Sequence, residues 1–144
     1  MSFFKSEWRV ELPATLEAVD NFCAEFRLWR AATCADLDGF STELLLREAL
    51  TNSVEHGGTD DPNEPISCVL RAKRGRLLIA IQDRGKGFDW RAAWDSQADP
   101  SDTGGRGIEI LRRYASAVRF NPRGNSVMLI KRFEGKPNER RNKS

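Results

Sequence analysis

The amino-acid sequence predicts an α+β fold, a two-layer sandwich in which a mixed, mostly antiparallel sheet carries helices on one face. Two hairpin signals and apolar stripes at helical spacing predict it. The length agrees, since 144 residues at 40% hydrophobic composition suffice for one core and are too few for two ordinary domains.

Trp8 to Leu12 alternate apolar and polar as a short strand does, and Pro13 ends them before Thr15, an N-cap residue. Val19, Phe22, Cys23, Phe26 and Trp29 then recur at three- and four-residue steps, giving a first helix with one buried stripe. After a turn at Asp36 to Gly39, Ser41-Thr42 open a second helix over Glu43 to Glu55, closed by Gly57-Gly58. Thr59 to Pro65 read as a loop. Ile66 to Lys73 and Leu77 to Gln82, joined through Arg74-Gly75-Arg76, form a first hairpin. Asp83 to Gly104 is a long connection with one short helix. A helix over Ile108 to Ala117 follows Gly104-Gly105-Arg106-Gly107, and Pro122-Arg123-Gly124-Asn125 turns a second hairpin between Ala117–Phe120 and Ser126–Phe133. The chain thus divides into a domain over residues 1–133 and a charged, disordered tail over 134–144.

Composition excludes several functions. With 23 basic against 21 acidic residues and a net charge of +2, no global field attracts nucleic acid. The basic positions of the tail, Lys136, Arg140, Arg141 and Lys143, are interrupted by acidic ones. Cys23, Cys34 and Cys68 lie far apart with no C-x-x-C pair, as expected of reduced, buried thiols. His56 is the single histidine, which excludes a multi-histidine metal site. An apolar leader and a membrane-length run are both missing, so a soluble, cytoplasmic protein without membrane or direct nucleic-acid partners is expected.

Three clusters hold the candidate chemistry. Glu48, Asn52 and His56 fall at steps of four on the second helix and line one polar stripe. A carboxylate can act as a base and an amide oxygen can ligate Mg²⁺, although any one of these residues is equally at home on a solvated helix face. Asp83-Arg84-Gly85-Lys86-Gly87 joins an acidic residue at a strand end to two glycines that allow close approach of a ligand. Gly104 to Gly107 before a helix offers N–H groups to a phosphate, with Arg106 adding positive charge. It lacks the G-K-[ST] ending of a P-loop, and the chain has no H-R-D or D-F-G kinase signature.

Taken in order, Glu48-Ala49-Leu50-Thr51-Asn52-Ser53-Val54-Glu55-His56-Gly57, Asp83-x-Gly85-x-Gly87 and Gly105-x-Gly107 resemble the N, G1 and G2 boxes of the GHKL (Bergerat-fold) ATPase superfamily. Within it, the E-A-x-x-N-x-x-x-H-G form is similar to that of the anti-sigma factor serine/threonine kinases. That resemblance implies ATP and Mg²⁺ as cofactors. It implies that Asn52 coordinates the metal, that Glu48 orients or deprotonates the attacking hydroxyl, and that Asp83 accepts a hydrogen bond from the adenine amino group. Gly85 and Gly87 would pass close to the nucleotide, with His56 beside it. Gly105 and Gly107 would shape a phosphate lid that Arg106 faces. Ser126 would place a hydroxyl near the adenine, although Asn125 departs from the usual threonine pattern. The implied partners are a small anti-anti-sigma (STAS-type) substrate, a sigma factor, and a second copy of the chain in a homodimer. The alternatives are an ATP-dependent switch without kinase activity and the ATPase subunit of a two-component histidine kinase.

Overall fold

The computed structural model describes residues 7–56, 64–95 and 103–133. They form β1 (Glu7–Pro13), α1 (Leu16–Thr33), α2 (Gly39–His56), β2 (Pro65–Lys73), β3 (Arg76–Gln82), α3 (Trp90–Asp95), α4 (Thr103–Tyr114), β4 (Ala117–Phe120) and β5 (Ser126–Arg132). The proposed tail and the Gly57-Gly58 helix stop lie outside these residues.

The five strands make one sheet in the order β1-β2-β3-β5-β4. Every described pairing is antiparallel, so the sheet expected to be mixed and mostly antiparallel has no parallel pair among the described residues. The reason is topological. The chain leaves β3, crosses through α3 and α4 to the far edge, and returns as a hairpin, so β5 fills the gap between β3 and β4 and runs against both.

Strand register sorts the side chains into two faces because successive residues point opposite ways. Val10, Cys68, Ile81, Val127 and Phe120 stand in one row, and Trp8, Leu70, Ile79, Leu129 and Val118 in the next. These rows meet the helices. Val19, Phe22, Cys23 and Phe26 of α1 and Leu45, Leu46, Ala49 and Leu50 of α2 are buried against them. Trp8 packs on Phe22 and Trp29 with ring centroids 4.8 and 5.9 Å apart. The three cysteines are free and buried, with burial pushing the Cys23 and Cys34 thiols up to about 11 and Cys68 up to about 12. At those values they are unreactive core groups.

Helix starts follow their caps. Thr15 Oγ1 accepts from the Ala18 N–H at 3.1 Å, as expected at the head of α1. The second helix begins earlier than its Ser41-Thr42 signal, because Asp38 Oδ2 accepts from the Ser41 N–H at 2.9 Å and the Asp38 carbonyl from the Thr42 N–H at 3.3 Å. The Ser41 hydroxyl and then the Ser41 N–H, both donating to the Asp38 carboxylate, hold that carboxyl below its ordinary value. Arg27 bridges α1 to α2 through two 2.7 Å bonds to Glu43.

The largest departure is at α4. Gly104-Gly105-Arg106-Gly107, expected as a loop before a helix from Ile108 to Ala117, lies inside a helix that begins at Thr103 and ends at Tyr114. Glycine is a poor helix former, but here tertiary packing decides. Gly107 sits against α2 so closely that only a residue without Cβ fits without displacing its neighbours.

Candidate functional site

The site lies where α2, the loop after β3, α4 and the β4–β5 turn meet. Along α2, Ala49 and Leu50 are buried toward the sheet, while Glu48 and Asn52 are half-buried on the side facing α4. A Cβ built on Gly107 would stand 3.1 Å from Asn52 Oδ1 and 3.2 Å from Glu48 Oε1. The carboxylate and the amide therefore converge on one point of the α4 backbone, as their four-residue spacing predicts. Desolvation raises the Glu48 carboxyl above its ordinary value, with Glu55 adding to the rise and Arg47 opposing it.

Asn52 Nδ2 is buried and has no hydrogen-bond partner among the described residues. Such atoms are few in folded proteins and call for a physical reason. A half-turn of the amide exchanges its donor and acceptor ends, so Asn52 offers one polar atom that its own fold does not use. The Asn52 amide oxygen is a hard donor of the kind Mg²⁺ takes, and that ion is held by one or two protein groups together with phosphate and water. Among the described residues no cluster of three or more His, Cys, Asp or Glu side chains could hold a metal. The donor set fits Mg²⁺ brought in with a polyphosphate.

Asp83 directly follows β3 and is buried, with 7% of its surface exposed. Its Oδ1 accepts from the Gly85 N–H at 2.7 Å, and the Ser53 hydroxyl donates to the same carboxylate. Desolvation outweighs both bonds and raises the carboxyl above its ordinary value. Gly87 has φ +84°, a left-handed conformation, and a Cβ there would stand 1.8 Å from the Arg123 carbonyl oxygen. The glycine of this segment is thus required by both backbone and neighbour.

A small cavity is lined by Ala49, Asn52, Ser53 and Asp83 together with Phe88, Phe120 and Gly124 to Val127. Its volume is about 10 Å³, room for about one water. His56, the last residue of α2, stacks on Phe88 with centroids 4.6 Å apart, and Phe88 meets Phe120 edge-on at 5.7 Å. Ser126 lines the same cavity.

Glu48, Asn52, His56, Asp83, Gly85, Gly87, Gly107 and Ser126 are thus brought together from four segments. Gly105 and Arg106 lie within the first turns of α4, not in a loop, and the Arg106 side chain lies outside the described residues. Sequence reasoning missed Ser53, Phe88 and Phe120. Phe88 directly follows the Gly85-x-Gly87 pair and was the one most open to detection; Ser53 meets Asp83 only through the fold.

The profile of the histidine kinase-like ATPase domain matches residues 12–131, nearly the whole described core. The chain belongs to the histidine kinase-like ATPase family. Two solved structures are similar to it. One is the histidine kinase domain of the blue-light activated histidine kinase from Erythrobacter litoralis EL346, at 13% identity and a TM-score of 0.47, covering 89% of this chain and 64% of that one. The other is the ATP binding domain of PrrB from Mycobacterium tuberculosis, at 18% identity and a TM-score of 0.43, covering 90% of this chain and 98% of that one. No curated protein matches the chain. This member of the histidine kinase-like family is an ATP-binding module, and among its described residues no helix is long and apolar enough to cross a membrane.

Proposed function

We propose that this chain is an ATP-dependent protein serine/threonine kinase of the anti-sigma type, which phosphorylates a small anti-anti-sigma (STAS-type) protein and sequesters a sigma factor. The observation that carries the nucleotide half of this reading is the convergence of Glu48 and Asn52 on Gly107, beside a cavity that Asn52 and the buried Asp83 both line. The choice of the serine/threonine branch rests on the E-A-x-x-N-x-x-x-H-G form of residues 48–57. A homodimer through the sheet face opposite the helices, where Val69, Ala80 and Met128 stand in one row, belongs to the same reading.

In this mechanism Asp83 accepts a hydrogen bond from the adenine amino group and so orients the base. Ser126 and His56 flank it. Asn52 would hold Mg²⁺, which would supply charge neutralisation for the phosphates. The partner's serine or threonine oxygen attacks the γ-phosphorus, the bond from that phosphorus to the ADP oxygen breaks, and ADP leaves. Glu48 receives the hydroxyl proton. Its raised pKa makes the carboxylate a stronger base than one in water, and positioning with charge neutralisation supplies most of the remaining acceleration.

The test is calorimetry of Mg·ATP binding to the purified chain beside Asn52→Ala and Asp83→Asn, followed by labelled-phosphate transfer to STAS-type proteins. Binding that both substitutions weaken, with label on a partner serine or threonine, is the expected result. A stable partner complex with no phosphoprotein would replace the kinase with an ATP-dependent switch, and label on a histidine would move the chain to the histidine-kinase class.

A further inference from the structure

The turn between β4 and β5 is tied to the Asp83 loop by an asparagine pair. Asn121 Oδ1 accepts three backbone N–H groups, from Gly124 at 2.8 Å, Asn125 at 3.0 Å and Ser126 at 3.1 Å. Its Nδ2 donates to Asn125 Oδ1 at 2.6 Å. That last bond fixes which way the Asn125 amide faces, because only Nδ2 is left to point at the neighbouring loop. There it reaches the Asp83 carbonyl at 3.3 Å and the Gly85 carbonyl at 3.4 Å, while the Asn125 carbonyl accepts the Asp83 N–H at 2.9 Å.

The two loops are also interlocked by shape. A Cβ on Gly124, at φ +81°, would stand 2.3 Å from the Phe88 carbonyl oxygen, and one on Gly87 would collide with Arg123 from the opposite side. Trp90 Nε1 donates to the Asn121 carbonyl at 2.9 Å, closing the contact. The backbone on both sides of the Asp83 side chain is therefore held by Asn125, and the planar amide suits this work because it presents donors and an acceptor at once.

We propose that Asn125, oriented by Asn121, is a positioning residue for base selection: it holds the Asp83–Gly85 backbone so that the Asp83 carboxylate meets the amino group of an adenine base at a fixed angle. This rests on the nucleotide-site reading above. A site built to hydrogen-bond a ligand group rejects analogues lacking that group, provided the site's own partner is rigidly held. Asn125 supplies that rigidity from 42 residues away in sequence.

The experiment measures binding of Mg·ATP and of Mg·purine riboside triphosphate, which lacks the amino group, to wild type, Asn125→Ala, Asp83→Asn and the double variant. Asn125→Asp is the second probe: it is nearly isosteric and removes both donors to the Asp83 loop. Thermal unfolding of each variant sets a temperature at which all are folded. Asn125→Ala and Asn125→Asp should each lower ATP affinity by about 3- to 10-fold, leave the analogue within about 2-fold, and so shrink discrimination between the two. In the Asp83→Asn background Asn125→Ala should change ATP affinity by less than about 2-fold. Equal losses for both nucleotides, or losses that simply multiply in the double variant, would overturn the positioning role. An Asp83→Asn variant that binds ATP like wild type would instead overturn the nucleotide-site reading on which the proposal stands.

Discussion

Replacing Gly107 by alanine separates helix stability from site geometry. Gly107 lies within α4 and has no left-handed φ, so alanine should stabilise the helix by about 0.5–1 kcal/mol through lower backbone entropy in the unfolded chain. The new methyl would stand 3.1 Å from Asn52 Oδ1, 3.2 Å from Glu48 Oε1 and 3.7 Å from Asn52 Cγ. Both oxygens must then retreat by a few tenths of an ångström. They are the tips of side chains, so retreat offsets the helix gain only partly, and the net change should stay within about 1 kcal/mol of zero, well below the about 1–3 kcal/mol of rigid overpacking. Catalysis is less forgiving, because a 1 Å misplacement already removes about 100-fold in rate. Gly107→Ala should lose about 10-fold in labelled-phosphate transfer while its urea midpoint moves by less than about 1 M. The midpoint and the transfer rate are read on the same preparation. A variant with wild-type transfer, or one destabilised by more than about 3 kcal/mol, would show that α4 does not press on the Glu48–Asn52 pair as described.

Gly87→Ala combines a left-handed backbone, about 1–2 kcal/mol, with a methyl 1.8 Å from the Arg123 carbonyl, about 1–3 kcal/mol if the loops give way; denaturant unfolding should show a loss of about 2–5 kcal/mol, and a neutral result would contradict the interlocked loops. Asp83→Asn should weaken ATP binding yet raise the melting temperature of the nucleotide-free protein at neutral pH. Burial raises the Asp83 carboxyl above its ordinary 3.8, so its protonated form favours the fold below about pH 3.8 and that contribution is lost as pH climbs through the raised value. The asparagine advantage should therefore fade toward acid, and a pH-independent difference in melting temperature would count against the assignment. Glu48→Gln should lower transfer by about 100- to 10,000-fold with ATP affinity nearly kept. Wild-type transfer should rise with pH through the raised Glu48 pKa, and the same limb persisting in the glutamine variant would assign the base elsewhere.

Much of the fold is legible locally. Alternation in Trp8 to Leu12, the Gly75 turn and the Pro122–Asn125 turn place the strands, because a period of two and a positive-φ glycine are properties of the segment itself. Thr15 caps α1 for the same reason. Asp38, not Ser41, starts α2, because adjacent polar residues compete for the same orphan N–H groups and sequence alone does not rank them. The site divides likewise: Glu48 and Asn52 share a helix face by spacing, and Asp83, Gly85 and Gly87 announce a close approach at a strand end.

The sequence by itself determined the ingredients: the helix that carries the carboxylate and amide, the acidic strand end, the glycines, and the family they resemble. Only the tertiary structure decided what those groups face. Gly104 to Gly107 read as a loop because glycine disfavours helices, yet they continue α4 because Gly107 must pass within contact distance of Asn52 and Glu48. Ser53 finds Asp83, and Asn125 finds the Asp83 and Gly85 carbonyls, across chain separations that carry no periodic signal. Propensity and spacing are energies of neighbours along the chain, whereas burial, steric exclusion and long-range hydrogen bonds exist only once the sheet order β1-β2-β3-β5-β4 has brought distant segments together.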